Sequence, residues 1–523
     1  MPQNPILTLG LTDLSRHISK GELSSVEVTS AFLERLAHIQ PKLRPMTRIF
    51  ARESRVMAEA ADDRRRRGAR VSPLDGVPVT LKESISTEGT EVTLGLPRRK
   101  GQIASKDAVV AHLLREAGVV FLGKTNLSQA MLFHESRNPL FGTTTNPWDT
   151  SRTPGGSSGG EACAIAAYGS PGGFGTDIGG SIRVPAHFTG TVGLKPTVDR
   201  ISNLGLGAAI PGQEIIRGQI GPMARRVCDL EILLDVVSPR RCAIYDPRVP
   251  ALPIGDPNSI EPRALRVGYF IDDHVIRASR ACRRAVELSV RVLEDAGCTV
   301  VAFEPPHAEE ILFTYLGALS SDGARTLAAS LDEHDVDPAL TLLLRLVRLP
   351  RHARKAAALS LALVGERVAG QMLEVIGEKS VAEVWALTRR ARELQAEVFT
   401  TWRHLRIDAV LCPPHATPAL PHGASRDFTI GGALSMRYNL LDFPAGVVPV
   451  TRVRNDETSP LERPRQRHER RAATVDEGSA GLPVGVQVVA LPRREDVVLR
   501  IMRLIEESAL LDDERPVLAV DAH

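Results

Sequence analysis

The chain reads as an α/β protein, and three stretches carry that reading. Leu11 to Leu36 is amphipathic at helical period, with Ser24-Ser25-Val26-Glu27 placed as a capped helix start. Gly76-Val-Pro-Val-Thr-Leu-Lys82 is a short apolar run of strand type that ends on a lysine. Asp107 to Ala117 has helix patterning and leads into Val119-Val-Phe-Leu122, a buried strand. Helix and strand therefore alternate, as an α/β class requires.

The most unusual stretch runs from Pro154 to Thr197. Gly155-Gly156-Ser157-Ser158-Gly159-Gly160 and Gly179-Gly180-Ser181 flank a small-residue run suited to a tightly packed helix. Glycines let the backbone amides approach a ligand closely, so each framed serine is presented by its main chain. A serine hydroxyl needs an adjacent base to become a nucleophile. A lysine whose pKa is lowered by burial can be that base. Thr176-Asp-Ile-Gly-Gly-Ser181 supplies amides for a developing oxyanion. Taken singly, each feature has a plainer reading: a flexible Gly-Ser loop, a solvated lysine at a strand end. The phosphate-loop and dinucleotide patterns are absent. The three strings occurring in order within about 120 residues override the plainer readings.

The segment resembles the signature of the amidase signature family. Lys82 falls on the family's lysine, Ser157 on its bridging cis-serine and Ser181 on its nucleophile. The serines stand 24 residues apart, as in that pattern. Ile178, Gly179, Gly180 and the Ser181 N–H fall on the oxyanion loop. The resemblance implies a cis Ser-Ser peptide bond and a relay in which Lys82 draws a proton through Ser157 from Ser181. It implies one large mixed β-sheet surrounded by helices over residues 1–523, with the catalytic core at 70–235. Glu83 stands where the family often has aspartate and reads as a neutral exchange. Asp177 and Arg183 flank the nucleophile; a brace for the loop and an ordinary ion pair both remain open.

Further strings resemble the fatty acid amide hydrolase branch: Asn138-Pro-Leu-Phe-Gly142, Asn146-Pro-Trp148, Pro211-Gly-Gln-Glu214, Tyr438 to Thr451 and Leu482 to Pro492. Met131 and Leu132 match positions that line that branch's acyl channel. Methionine suits an irregular apolar space, and it is also ordinary core. Aromatic residues make up only 4% of the chain, which argues against an aromatic-lined channel.

Residues 340–375 read as a helical cap. Leu342, Leu343, Leu346 and Leu349 recur at helical spacing among Arg345, Arg348, Arg351, Arg354 and Lys355, and Pro350 divides the run. The pattern suits a helix in a membrane interface. A core helix pair and a dimer contact also fit it, and the resemblance favours the membrane.

The near balance of 65 basic and 62 acidic residues gives no electrostatic case for nucleic acid. Six cysteines without paired spacing read as reduced thiols, and neither a metal site nor a cofactor is expected. No signal peptide or membrane-spanning run of about 18 apolar residues is visible. A cytoplasmic enzyme, peripheral on the membrane and homodimeric, is expected. Residues 238–263, rich in proline, read as a connector. The charged stretch from Arg452 to Gly478 reads as a surface excursion, mobile or folded over the cap side. The first functional reading is hydrolysis of fatty acid amides, and of esters, to fatty acid and amine. Alternatives are an amidase for small aliphatic, aryl or peptide amides, and the amidase subunit of a tRNA-dependent amidotransferase.

Overall fold

A computed structural model describes residues 4–332, 335–460 and 462–518. Among the described residues thirteen strands form in chain order: β1 (Met46–Ile49), β2 (Pro78–Lys82), β3 (Val120–Thr125), β4 (Arg137–Asn138), β5 (Gly142–Thr143), β6 (Gly172–Asp177) and β7 (Val192–Lys195) come first. β8 (Gln219–Ala224), β9 (Arg266–Tyr269), β10 (Thr299–Ala302), β11 (Ala409–Cys412), β12 (Ala445–Arg452) and β13 (Pro483–Ala490) follow. All but the β4–β5 hairpin join one 11-stranded sheet, ordered β1-β3-β2-β6-β8-β7-β12-β13-β11-β9-β10. β2 lies parallel to β3 and β6, whereas β6 is antiparallel to β8, so the sheet is mixed. Strands β2, β3, β6, β7, β8, β11 and β13 are buried at every position. Such strands need helices on both faces, which accounts for the apolar runs of β11 and β13.

The local signals act as their chemistry dictates. Ser24 and Glu27 form a reciprocal capping box at the Ser25–Leu43 helix. Val109–Glu116 is helical and delivers the chain into β3. The small-residue run forms the Gly159–Ala166 helix, buried all round. It reaches the sheet because β6 offers glycines beneath it. A Cβ on Gly175 would lie 2.8 Å from Ser158 Oγ, and one on Gly173 would overlap Thr80 O and Glu161 Oε1. The connector holds only short turns before β9. All six cysteines are free thiols, five of them buried.

The cap region rises between β10 and β11. Pro350 separates the Pro338–Arg348 and Arg351–Leu363 helices. Its leucines divide differently from the expected single stripe. Leu340, Leu343, Leu344 and Val347 turn inward, and Leu340, Leu343 and Leu344 pack in a cluster with Leu94, Leu96 and Leu327. Leu342 and Leu349 stay exposed. Arg354 is not on the solvated face: it is buried and donates to the carbonyls of Val347 and Leu349, closing the end of the preceding helix. Part of the charged excursion packs against the cap. Its Arg467–Asp476 helix pairs Arg470 with Glu366, and Val368 N donates to Gln466 Oε1 at 3.2 Å. Among the described residues no helix is long and apolar enough to cross a membrane.

The β6 glycine contact is testable. Gly173→Ala is expected to cost about 3 kcal/mol by overpacking, read as a lower thermal midpoint. Gly218→Ala, whose Cβ would meet nothing nearer than 3.7 Å, should leave the midpoint almost unmoved.

Candidate active site

Parallel strands β2 and β6 bring Lys82 and Thr176 to neighbouring carboxyl ends, and the Gly159–Ala166 helix begins beside them. Lys82 is completely buried. Its Nζ lies 2.6 Å from Ser157 Oγ, 3.0 Å from Ser158 Oγ and 2.8 Å from Thr176 Oγ1. Ser158 spends its own proton on the Thr176 carbonyl at 3.2 Å, so it can only accept from Lys82. A neutral amine fits this nest, with two N–H groups donated and one lone pair left for the Ser157 hydroxyl. Burial brings the Lys82 pKa down to about 7, against the opposing fields of Asp177, Glu83 and Glu161.

Ser157 and Ser181 line the same cavity. Among the described residues neither hydroxyl is bonded to the other; such contacts often tighten only when substrate binds. Ser158 N donates to Ser181 O at 3.1 Å and ties the two glycine-serine loops together. The cis peptide bond is Gly156–Ser157, which corrects the expectation of a cis Ser-Ser bond: it precedes the serine pair.

The oxyanion loop is held from outside. Tyr315 Oη donates to Ile178 O at 3.0 Å, and the His134 ring, whose carbonyl partner requires an N–H at Nε2, donates to Gly179 O at 3.0 Å. A Cβ at Gly179 would run into the Tyr315 hydroxyl, so the phenol can brace the loop only because the residue is glycine. Burial lowers the His134 pKa and keeps the ring neutral. The Gly180 N–H points at Asp177 Oδ1, 2.8 Å away. The N–H groups of Ile178, Gly179 and Ser181 have no acceptor among the described residues. Gly180 thus contributes a turn to the loop in place of the free amide expected of it.

Asp177 and Arg183 are fully buried and paired through two bonds of 2.9 and 3.0 Å. Arg183 also reaches Asn439 Oδ1 and Gln487 Oε1, both at 2.6 Å, and Ser435 O at 2.9 Å. Burial pushes the Asp177 carboxyl up. The Arg183 guanidinium, the Asn439 amide and Lys195 more than offset that, and hold it far below the usual carboxylate range. The pair is a brace for the loop and far more than a surface contact. Glu83 accepts from Thr93 Oγ1 at 2.7 Å and Leu94 N at 3.1 Å, a reach its extra methylene provides.

The cavity occupies about 290 Å³. Met131 and Leu132 both line it, with Phe133, Ile210, Leu316 and the cap residues Leu343 and Val347. Its walls are mostly aliphatic, in keeping with the scarcity of aromatics. Gln129 clamps the cap's entry, donating to Asp335 O at 2.8 Å and accepting from Asp337 N at 2.7 Å. Among the described residues no cluster of three or more His, Cys, Asp or Glu side chains suits a metal ion. Thr176, Ser158, Tyr315 and His134 were not singled out by sequence for these contacts. Only Thr176 and Ser158 carried a signal, since both lie inside the glycine-serine strings.

The amidase family profile matches residues 27–499. The chain belongs to the amidase signature family and is a hydrolase of amides. It is 38% identical over 517 residues to fatty-acid amide hydrolase 1 of Sus scrofa, covering 96% of this chain and 87% of that protein. Fatty acid amide hydrolase 1 of Caenorhabditis elegans is 34% identical, with 95% and 88% covered. A solved fatty acid amide hydrolase superposes with a TM-score of 0.83 at 26% identity, over 97% of this chain and 86% of that one. The single mixed sheet wrapped in helices is therefore the fold expected of this family.

Removing one partner of the buried pair strands the other charge. Asp177→Asn and Arg183→Met are each expected to cost about 3–5 kcal/mol. The double variant should cost less than the sum, in a double-mutant cycle of thermal unfolding.

Proposed function

We propose that the enzyme hydrolyses long-chain fatty acid amides through an acyl-enzyme on Ser181. The observation carrying this reading is one aliphatic cavity lined by Ser157 and Ser181 and also by the cap residues Leu343 and Val347. A short polar amide would leave such walls unfilled, whereas a hydrocarbon chain gains about 0.8 kcal/mol per buried methylene. The similarity to fatty-acid amide hydrolase 1 over nearly the whole chain supports it.

In this reading neutral Lys82 takes the Ser157 proton while Ser157 takes that of Ser181. Ser181 Oγ bonds to the amide carbon, and the oxyanion is met by the free N–H groups of the 178–181 loop. Ser157 then returns a proton to the nitrogen as the carbon–nitrogen bond breaks, releasing the amine. Water repeats the relay, its oxygen displaces Ser181, and the acid leaves. The same chemistry would cleave esters, with alcohol in place of amine.

Hydrolysis of oleamide should exceed that of butyramide, and Ser181→Ala should lower kcat/KM for oleamide at least about 10³-fold. Preference for butyramide would remove the lipid reading and leave a small-amide amidase. Because the base works only when deprotonated, kcat/KM should climb with pH and level off above a pKa of about 7. A flat profile between pH 5.5 and 8.5 would exclude Lys82 as the base.

We also propose that the cap rests on an anionic bilayer. Leu359, Leu363 and Val364 are 64%, 79% and 73% exposed, with Arg351 and Lys355 exposed on the same helix. The helix before it lines the cavity through Leu343 and Val347. The inward position of Leu343 makes it a poor probe of the bilayer. Leu359→Glu/Leu363→Glu is expected to abolish flotation with phosphatidylserine vesicles while butyramide turnover persists. Retained flotation would sink the proposal, and a shift from dimer to monomer without a change in flotation would assign the patch to a second copy.

A further inference from the structure

Glu161 lies on the buried helix that follows the serine pair, three residues after Ser158, and is fully buried. Among the described residues no cation lies within ion-pair distance of it. Its surroundings are hydroxyls. Oε1 is hydrogen-bonded to Thr80 Oγ1, and Oε2 accepts from Thr125 Oγ1 at 2.8 Å. Thr80 Oγ1 also lies 3.0 Å from Ser170 Oγ, and Ser170 Oγ lies 2.8 Å from Gly172 O.

Counting protons along this ladder fixes its direction. The Gly172 carbonyl can only accept, so the single Ser170 hydroxyl proton is committed to it. Ser170 must then accept, and the single Thr80 proton is committed to Ser170. Nothing remains on Thr80 to donate to Glu161. With that proton committed to Ser170, the hydrogen bond between Thr80 and Glu161 takes its proton from the carboxyl. We propose that Glu161 is a neutral carboxylic acid in the resting enzyme, donating through Thr80 and Ser170 to Gly172, and that its neutrality keeps the buried Lys82 a free amine.

The link to Lys82 is geometric. Thr80 and Lys82 lie on the same face of β2, two residues apart, about 7 Å. Glu161 packs against Gly173 and Ser158 against Gly175, so the helix sets the acid beside Thr80 and Ser158 beside Lys82. An ionised Glu161 would hold a proton on Lys82, because both are fully buried and charges interact strongly there. Asp177 and Glu83 also favour the protonated lysine, but each is tied to partners of its own, Asp177 to Arg183 and Glu83 to Thr93 and Leu94. Lys124 of β3 turns its Nζ to the Ile85 carbonyl, and Arg225 donates to the Ser170 carbonyl at 2.8 Å. Burial is the largest influence on Glu161 and raises its pKa to about 7, in agreement with a protonated carboxyl. Glu161 is thus a positioning residue for the proton chemistry and touches no substrate. The effect on Lys82 rests on the reading of Lys82 as base; the protonation of Glu161 does not.

The test uses the full chain and Glu161→Gln, whose amide N–H replaces the acid O–H toward Thr80 while its carbonyl accepts from Thr125. An infrared band of a protonated carboxyl should be present in the wild type at pH 6, fade by pH 9, and be missing in Glu161→Gln. The wild-type carboxyl gives stability below its unfolded pKa that is lost as pH rises through the folded value. The Tm of Glu161→Gln minus that of the wild type should therefore grow from pH 5 to pH 8. Glu161→Gln should keep oleamide kcat/KM at pH 8 within about threefold. Glu161→Asp is too short to complete the ladder and should ionise. It should lose about fivefold at pH 7 and recover at pH 9, a shift of about one unit in the acid limb. Absence of the band at pH 6, or a Tm difference flat from pH 5 to 8, would overturn the proposal even with full activity. Both signals present with no acid limb in either enzyme would instead reject Lys82 as base and leave the neutral acid standing.

Discussion

Burying a lysine in the middle of a sheet costs several kcal/mol if it stays charged and unpaired. At Lys82 the protein surrounds the amine with three hydroxyls, and the nearest carboxylates are held by other partners: Asp177 by Arg183, Glu83 by the Thr93–Leu94 turn. The cheapest response is to lose the proton. Much of the surrounding architecture serves that condition. The β6 glycines let the serine-bearing helix descend onto the sheet, and that helix seals Lys82 from water while placing Ser157 and Ser158 on its nitrogen. A bulkier β6 would lift the helix, rehydrate the amine and restore its ordinary pKa. Packing and proton affinity are here one constraint.

The second constraint is the aim of the loop that follows. A backbone rich in glycine samples many conformations, and an anion site needs one. The cost of fixing it is met by Asp177, which takes the N–H groups of Gly180 and Ile182, and by Arg183, which anchors Asp177 to Asn439, Gln487 and Ser435. These partners come from the last hundred residues of the chain. The strings Tyr438–Thr451 and Leu482–Pro492 therefore share more than ancestry with the glycine-serine strings: they supply the far side of its brace.

How much of this could be read in the sequence follows from how local each signal is. Lys82, Ser157 and Ser181 stand in short strings whose joint order is specific, and the capping box and the Pro350 break are set within four residues. Tyr315 and His134 reach the oxyanion loop across 137 and 45 residues, and nothing in their own neighbourhoods marks them. The free or committed state of the Gly180 amide depends on where Asp177 points, which a string of letters does not encode. Arg354 looks like another solvated cation until the preceding helix ends against it and its carbonyls need a donor.

The cap leucines show why periodicity alone misassigned a face. Leu342, Leu346 and Leu349 form one helical row, and Leu340, Leu343, Leu344 and Val347 another. A single hydrophobic stripe averages them together. The fold separates the two rows: the second meets the cavity and its apolar cluster, and the first leaves Leu342 and Leu349 exposed and Leu346 half-buried. A helix is only about 10 Å across, so one layer of structure lies between the cavity and whatever the outer row meets. Aqueous solvent is the least favourable neighbour for that row, since each leucine leaves part of its apolar surface unburied. A hydrocarbon phase outside and an aliphatic cavity inside would give both rows apolar partners. An amphipathic substrate could then pass from one to the other by a small displacement of a helix whose entry is clamped at Gln129 and whose end is closed by Arg354.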